Sequence, residues 1–175
     1  MQDLIASSIK YQQGTLTVLD QYLLPHQQHW HVCNDVETMK DLILTLKIRG
    51  APLIGLGASL LVAHLAEQGM SQSALAVAID ELEATRPTAV NLMHCMAKLR
   101  TALTETDYVA AVVATAEQLF KEDIALCDSM AERGAALVDK GDNILTHCNT
   151  GALATAGVGT ALGVIYKAQQ RHGDI

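Results

Sequence analysis

The chain has 175 residues, 50% of them hydrophobic, and a formal net charge of -7. That length supports one sizeable core and stands at the edge of two small domains, while the negative balance excludes nucleic acid as a general partner, because such binding needs clustered Lys and Arg. No window approaches the roughly 20 uninterrupted apolar residues of a membrane span, and the opening MQDLIASSIKYQQ lacks a charged-then-apolar signal pattern, so the expectation is a cytoplasmic protein with no membrane partner.

Aromatic residues make up only 3% while Ala, Leu and Val abound, which favours closely packed helices over a sheet sandwich. Residues 5–24, IASSIKYQQGTLTVLDQYLL, alternate on both sides of Gln13-Gly14 and predict a β-hairpin, with HWHV at 29–32 as a third short strand. Asn34 followed by Glu37 has capping-box spacing, and Met39, Leu42, Ile43 and Leu46 recur at helical intervals, so a helix is expected over 35–47. The next helix starts at Pro52, whose fixed φ and missing N–H suit the first helical position, and stops near Gly69. Ser71 caps a third helix through about residue 83, TRPT at 85–88 interrupts it, and a fourth covers about 89–103. From Tyr108 to about Val138 the pattern is nearly continuous, which reads as one long helix or two abutting at Gly134.

The character then changes. Residues 139–142 are a turn signal, 143–147 an apolar strand, and a helix is expected from Gly151 through about Gln170. A second turn at 171–174 and a strand beginning at Ile175 complete the opening of a β-α-β unit. The expected fold class is mostly α with a small N-terminal β piece, followed by the start of a Rossmann-like α/β domain. Residues 1–138 form the N-terminal domain, with the hairpin piece over 1–33 and the helical part over 34–138. Residues 139–175 supply the first strand and helix of a domain that is incomplete in this sequence.

Three motifs carry chemistry. In IRGAPLIG, loop amides at Gly50 and Ala51 and the free N–H groups of the following helix point where the helix dipole favours an anion, and Arg49 adds a planar charged fork suited to phosphate. In TRPTAVNL, Arg86 precedes a second helix start of the same kind, so convergence of the two would clamp one phosphate. In NILTHCNTGALATAG, Cys148 stands at the expected carboxyl end of a strand and before a helix, where open α/β sheets place ligands and where the helix end favours thiolate. Asn149, Thr150 and Gly151 add polar groups and close backbone approach, and His147 faces away if the strand is regular. The plain alternatives are a Pro-started surface turn, a helix connector and a buried thiol beside a turn.

The four cysteines, 33, 95, 127 and 148, lie far apart with no CxxC pair or zinc spacing, and read as reduced thiols. Gly157, Gly159 and Gly163 come too late for a dinucleotide fingerprint, which needs its glycines in the strand-to-helix turn. Ala152, Ala156, Gly159 and Gly163 read instead as a small-residue helix face pressed against a sheet.

Together, RGAP at 49–52, TRPTAVNL at 85–92 and THCNTGALAT at 146–155 closely resemble the methylthioribose-1-phosphate isomerases of methionine salvage, over roughly the N-terminal half of such an enzyme. Leu53 stands where these enzymes often have Ala, a change that leaves the anion-binding backbone intact. The resemblance implies an aldose-ketose isomerase that turns 5-methylthioribose 1-phosphate into 5-methylthioribulose 1-phosphate without metal or nucleotide cofactor. It further implies that Arg49, Gly50, Ala51 and Arg86 hold the substrate phosphate, that Cys148 is one acid-base residue within the Asn149-Thr150-Gly151 loop, and that its partner is an Asp of the C-terminal domain. That Asp has no counterpart here, so a truncated chain inactive on its own is the expectation. The same superfamily holds the regulatory subunits of the translation-initiation exchange factor, which makes a non-catalytic sugar-phosphate-binding or regulatory module the alternative; a helical interaction domain with no site is a third. Exposed apolar strand and helix faces predict a homodimer or larger self-association.

Overall fold

The computed structural model describes residues 1–173 and 175. Four antiparallel strands in chain order form the N-terminal sheet: β1 (Leu4–Ile5), β2 (Ile9–Gln12), β3 (Thr15–Leu19) and β4 (Trp30–Val32). The hairpin expected around Gln13-Gly14 joins β2 to β3, with Gln12 opposite Thr15 and both turn residues at positive φ, 51° and 74°, the backbone a two-residue hairpin requires. Alternation buries Ile9, Tyr11, Leu16 and Val18 on one face. HWHV supplies β4, and β1 adds a strand that the alternation alone did not separate.

Among the described residues six helices follow: α1 (Val36–Leu44), α2 (Ala51–Glu67), α3 (Gln72–Thr85), α4 (Val90–Ala102), α5 (Tyr108–Ala135) and α6 (Ala161–His172). Asp35, not Asn34, caps α1, its carboxylate accepting the Thr38 amide at 2.7 Å and the Thr38 hydroxyl at 3.0 Å. This helix ends before residue 47 because Leu46 turns to φ 58° and the amides of Lys47 and Ile48 both donate back to the Leu42 carbonyl. Ser71 caps α3 as expected, accepting the Ala74 amide. Residues 108–135 are one continuous helix of 28 residues; Gly134 lies within it.

Every residue of α2 from Leu53 to Ala66 is buried, so this helix is apolar all round and forms the axis of the bundle. It packs against α1, α3, α4 and α5 on its sides and against β2 and β3. The approach of α4 depends on Gly55: a Cβ there would come within 2.9 Å of the Asn91 carbonyl oxygen and of Cys95 Sγ. That closeness brings the start of α4 beside the start of α2.

Beyond α5 the structure departs from the expected β-α unit. Residues 143–147 form no strand, and Ile144 and Leu145 are exposed, 39% and 96%; a parallel strand needs a neighbour to complete its hydrogen bonds. The helix expected from Gly151 begins only at Ala161, because Gly151 and Gly159 adopt φ 94° and 101°, outside the helical region. Ile175 is in no strand, Gly173 closes α6 in the left-handed region, and Asp174 of the expected turn lies outside the described residues. Among the described residues, 139–175 therefore holds one helix and no strand. Of the small residues expected to share one helix face, Ala152, Ala156 and Gly159 precede α6 and Gly159 lies on the Gly151 backbone; only Gly163 is in α6, which packs on α5 rather than on a sheet, with Gly163 against Ala131 and Val164 against Gly134.

Candidate functional site

Two helix starts build one wall of a cavity of about 490 Å³. At α2, Gly50 takes φ 98° just before Ala51 and Pro52, and no side chain caps the helix. Pro52 has no N–H, and the Leu53 amide donates to the Ala154 carbonyl at 3.2 Å. The first turn therefore offers an incoming anion fewer amides than expected from the sequence, chiefly those of Gly50 and Ala51. At α4 the cap position is Ala89, again without a side-chain cap, so Thr88 does not start the helix by capping it. Two uncapped N-terminal helix ends, each carrying partial positive charge, meet at the same cavity.

Arg49, Gly50, Ala51, Arg86, Cys148 and Asn149 all line that cavity, so parts of three motifs separated by up to 100 positions share it. Its other lining residues are Leu46, Ile54, Thr88, Ala89, Val90 and Asn91. No acidic side chain is among them, and the two guanidinium groups make the lining cationic in a chain that is acidic overall. Among the described residues, three non-glycine positions have φ between 51° and 74°, and two of them, Leu46 and Cys148, are in this lining. Sparsely populated backbone held by its surroundings concentrates at functional sites.

Cys148 is exposed, whereas Cys33, Cys95 and Cys127 are buried. Burial pushes the Cys33 thiol up to about 12 and raises Cys95 as well, which suits inert packing groups. Cys148 sits neither at a strand's carboxyl end nor at a helix start, since α6 begins at Ala161. Its charged surroundings come from the cavity it shares with Arg49 and Arg86, not from a helix dipole directly beneath it. His147 is outside the lining.

Thr150 and Gly151 do not reach the cavity either; they form the neck of a loop. Thr150 Oγ1 lies 2.9 Å from Thr160 Oγ1 and accepts the Leu162 amide at 3.1 Å. Gly151 touches Gly159 so closely that a Cβ on Gly159 would fall 2.3 Å from Gly151 Cα. Gly50 is pressed on the same loop, where a Cβ would meet Ala154 Cα at 2.5 Å. The RGAP turn and the cysteine loop thus fit as one unit, and only glycine fits there.

Sequence reasoning did not assign Leu46, Ile54, Val90 or Asn91, although Val90 and Asn91 lie inside the quoted TRPTAVNL. It also missed the side chains that fasten the loop. Gln21 Nε2 and Ser8 Oγ donate to the Leu153 carbonyl at 2.8 Å and 3.3 Å, and Asp123 accepts the Ala156 amide at 2.7 Å. Burial pushes the Asp123 carboxyl up, against the amides of Ala156 and Gly157, which pull it down. No signal in the sequence marked these three, because none stands in a motif.

Comparison with known proteins places these features in context. The family model described as "Initiation factor 2 subunit family" matches residues 47–175. A methylthioribose-1-phosphate isomerase of Serratia proteamaculans (strain 568) is 50% identical over 171 residues, 98% of this chain and 50% of that protein. The crystal structure of 5-methylthioribose 1-phosphate isomerase from Pyrococcus horikoshii OT3 superposes with a TM-score of 0.85 at 28% identity, covering 98% of this chain and 51% of that one. The crystal structure of translation initiation factor eIF-2B, subunit delta, from A. fulgidus gives 0.79 at 34% identity, covering 95% and 52%. The chain spans about half the length of the curated relatives it matches.

Proposed function

We propose, from the premise that this chain belongs to the Initiation factor 2 subunit family, that its cavity takes the phosphate of 5-methylthioribose 1-phosphate and that the protein isomerises this sugar phosphate to 5-methylthioribulose 1-phosphate. The observation that carries the reading is the meeting of two uncapped helix starts, Arg49 and Arg86 with the exposed Cys148 around one cavity. Donors and dipole ends fixed before the ligand arrives favour a dianion without reorganisation.

The reaction moves hydrogen within one molecule. The C2 hydrogen and the proton of the 2-hydroxyl are lost, C1 gains a hydrogen, and the ring oxygen gains a proton as the ring opens; phosphate stays on C1, so no atom enters or leaves. Arg49, Arg86 and the Gly50 and Ala51 amides anchor that phosphate and set C1 and C2 beside Cys148, which serves as one acid-base group. The second is an Asp in the part of the relatives' length that this chain does not span, within a Rossmann-like domain of which residues 139–175 are the beginning and 1–138 the N-terminal partner. The route belongs to methionine salvage, the compartment is the cytoplasm, and no metal or nucleotide takes part.

The test is Cys148→Ser in the protein that carries this chain. Turnover of 5-methylthioribose 1-phosphate should fall by about a hundredfold or more, the scale of general acid-base catalysis, with inorganic phosphate still bound. Unchanged turnover would overturn the reading. The likeness to the eIF-2B delta subunit, at 34% identity, favours a second reading, a sugar-phosphate-binding regulatory module; it expects phosphate binding with no turnover by the unaltered protein.

A further inference from the structure

The loop from Thr150 to Thr160 is closed at its neck and pinned at its tip, and Cys148 stands two residues before the neck. Three of the pins come from one side: Gln21 and Ser8, next to the sheet, hold the Leu153 carbonyl, and the Leu53 amide of α2 holds the Ala154 carbonyl. Their bonds act on two adjacent residues, Leu153 and Ala154, and hold the loop on the side of the sheet and α2. Asp123 supplies the opposing hold from α5, accepting the Ala156 amide at 2.7 Å, the shortest of the four. Among the described residues Asp123 joins no ion pair. Its half-buried carboxylate is directed to loop amides alone, and a hydrogen bond to a charged acceptor is among the stronger ones a backbone amide makes.

We propose that Asp123 is a positioning residue: by holding the Ala156 amide it fixes the far side of the loop on α5 and keeps Cys148 facing the phosphate between Arg49 and Arg86. This rests on the reading of Cys148 and the two arginines given above. Asp123 does not touch substrate; it acts through the loop. The acceptor oxygen is what matters, so Asn, which keeps one, substitutes for it and Ala does not.

Cys148 is exposed while the other three thiols are buried, which makes iodoacetamide a selective probe of the folded protein. In the unaltered protein, inorganic phosphate should slow alkylation of Cys148 severalfold. Asp123→Ala should abolish that protection and lower kcat at least tenfold with KM changed less than threefold, and Asp123→Asn should restore both to within threefold. Protection and kcat unchanged in Asp123→Ala would overturn the proposal, as would equal impairment of the Asn and Ala variants. If Asp123→Ala exposes the three buried thiols, it is unfolded and Asp123→Asn carries the test, with loss of protection in the folded Asn variant overturning it. Absence of phosphate protection in the unaltered protein sinks the cavity reading itself and this proposal with it; intact protection there with no effect of Asp123→Ala sinks the proposal alone.

Discussion

The backbone amide of Leu53 donates to the carbonyl of Ala154, 101 positions further along the chain, at 3.2 Å. One orphan donor of the α2 N-terminus is thereby spent on the cysteine loop, and Gly50 seals the joint by lying against Ala154. The phosphate end and the thiol end of the candidate site are in this way one piece of structure.

Gly50→Ala should therefore do damage out of proportion to a methyl group. The residue has φ 98° and its Cβ would fall 2.5 Å from Ala154 Cα; strain of this kind costs about 1–3 kcal/mol before any repacking. Urea unfolding should show that loss, and phosphate affinity should drop with it. A variant as stable as the parent would mean the turn and the loop part easily.

Arg49→Ala and Arg86→Ala should each weaken binding of inorganic phosphate about tenfold or more, by the worth of a hydrogen bond to a charged group. Titration calorimetry at low salt is the check. Equal and negligible binding by all three proteins is the result expected of a helical domain with no site.

His64 makes stability depend on pH. It is 5% exposed, its Nδ1 is buried with no partner, and Tyr11 packs edge-on at 5.8 Å. Burial holds its pKa below the ordinary 6.5, against the opposing pull of Glu67. The folded state then binds fewer protons than the unfolded, so this contribution is fully present above the unfolded value and is lost as pH falls through the folded one. His64→Leu should flatten the loss of stability between about pH 7 and 5 in denaturant titrations. An unchanged slope would show that other groups set it.

Phe120, the single Phe of the chain, is 1% exposed in the core beneath α2. Phe120→Ala should cost about 3–5 kcal/mol, the range for emptying a buried aromatic site. Equilibrium unfolding measures it, and a loss under about 1 kcal/mol, the value of one buried methylene, would show that the bundle collapses into the void.

Leu137, Leu145 and Tyr166 are exposed, 86%, 96% and 52%, around the segment after α5. Large apolar side chains left open to water favour association when they meet in a patch. Solution scattering of the 175-residue chain should report dimers or larger assemblies, and a monodisperse monomer would count against self-association.

Much of the bundle was legible because its punctuation is chemical: Pro52 and Ser71 start helices, and the Gln13-Gly14 turn admits only backbone of positive φ. The cap of α1 was off by one because Asn34 and Asp35 are equally good cappers, and only the backbone of Asp35, at φ -149° and ψ 163°, decides between them. Residues 143–147 look like a strand in sequence and form none, because apolar periodicity reports a capacity that a strand realises only beside a partner. The start of α6 was misplaced by ten residues because glycine is silent about the sign of φ, and Gly151 and Gly159 both took the positive one. The arginine and cysteine motifs were visible as local patterns. Asp123 and Gln21 were not, since a tether to a backbone amide asks nothing distinctive of the residues around it.

The cavity draws on positions 46, 49–51 and 54, then 86 and 88–91, then 148–149, and that order has a consequence during synthesis. A chain leaves the ribosome N-terminus first, so both arginines and the helices that carry them emerge well before the thiol. The growing chain carries Arg49, Arg86 and the starts of α2 and α4 while Cys148 is still to be added. The thiol joins its charged surroundings only once the loop carrying Ala154 is made, so the site is completed by the last segment to be synthesised.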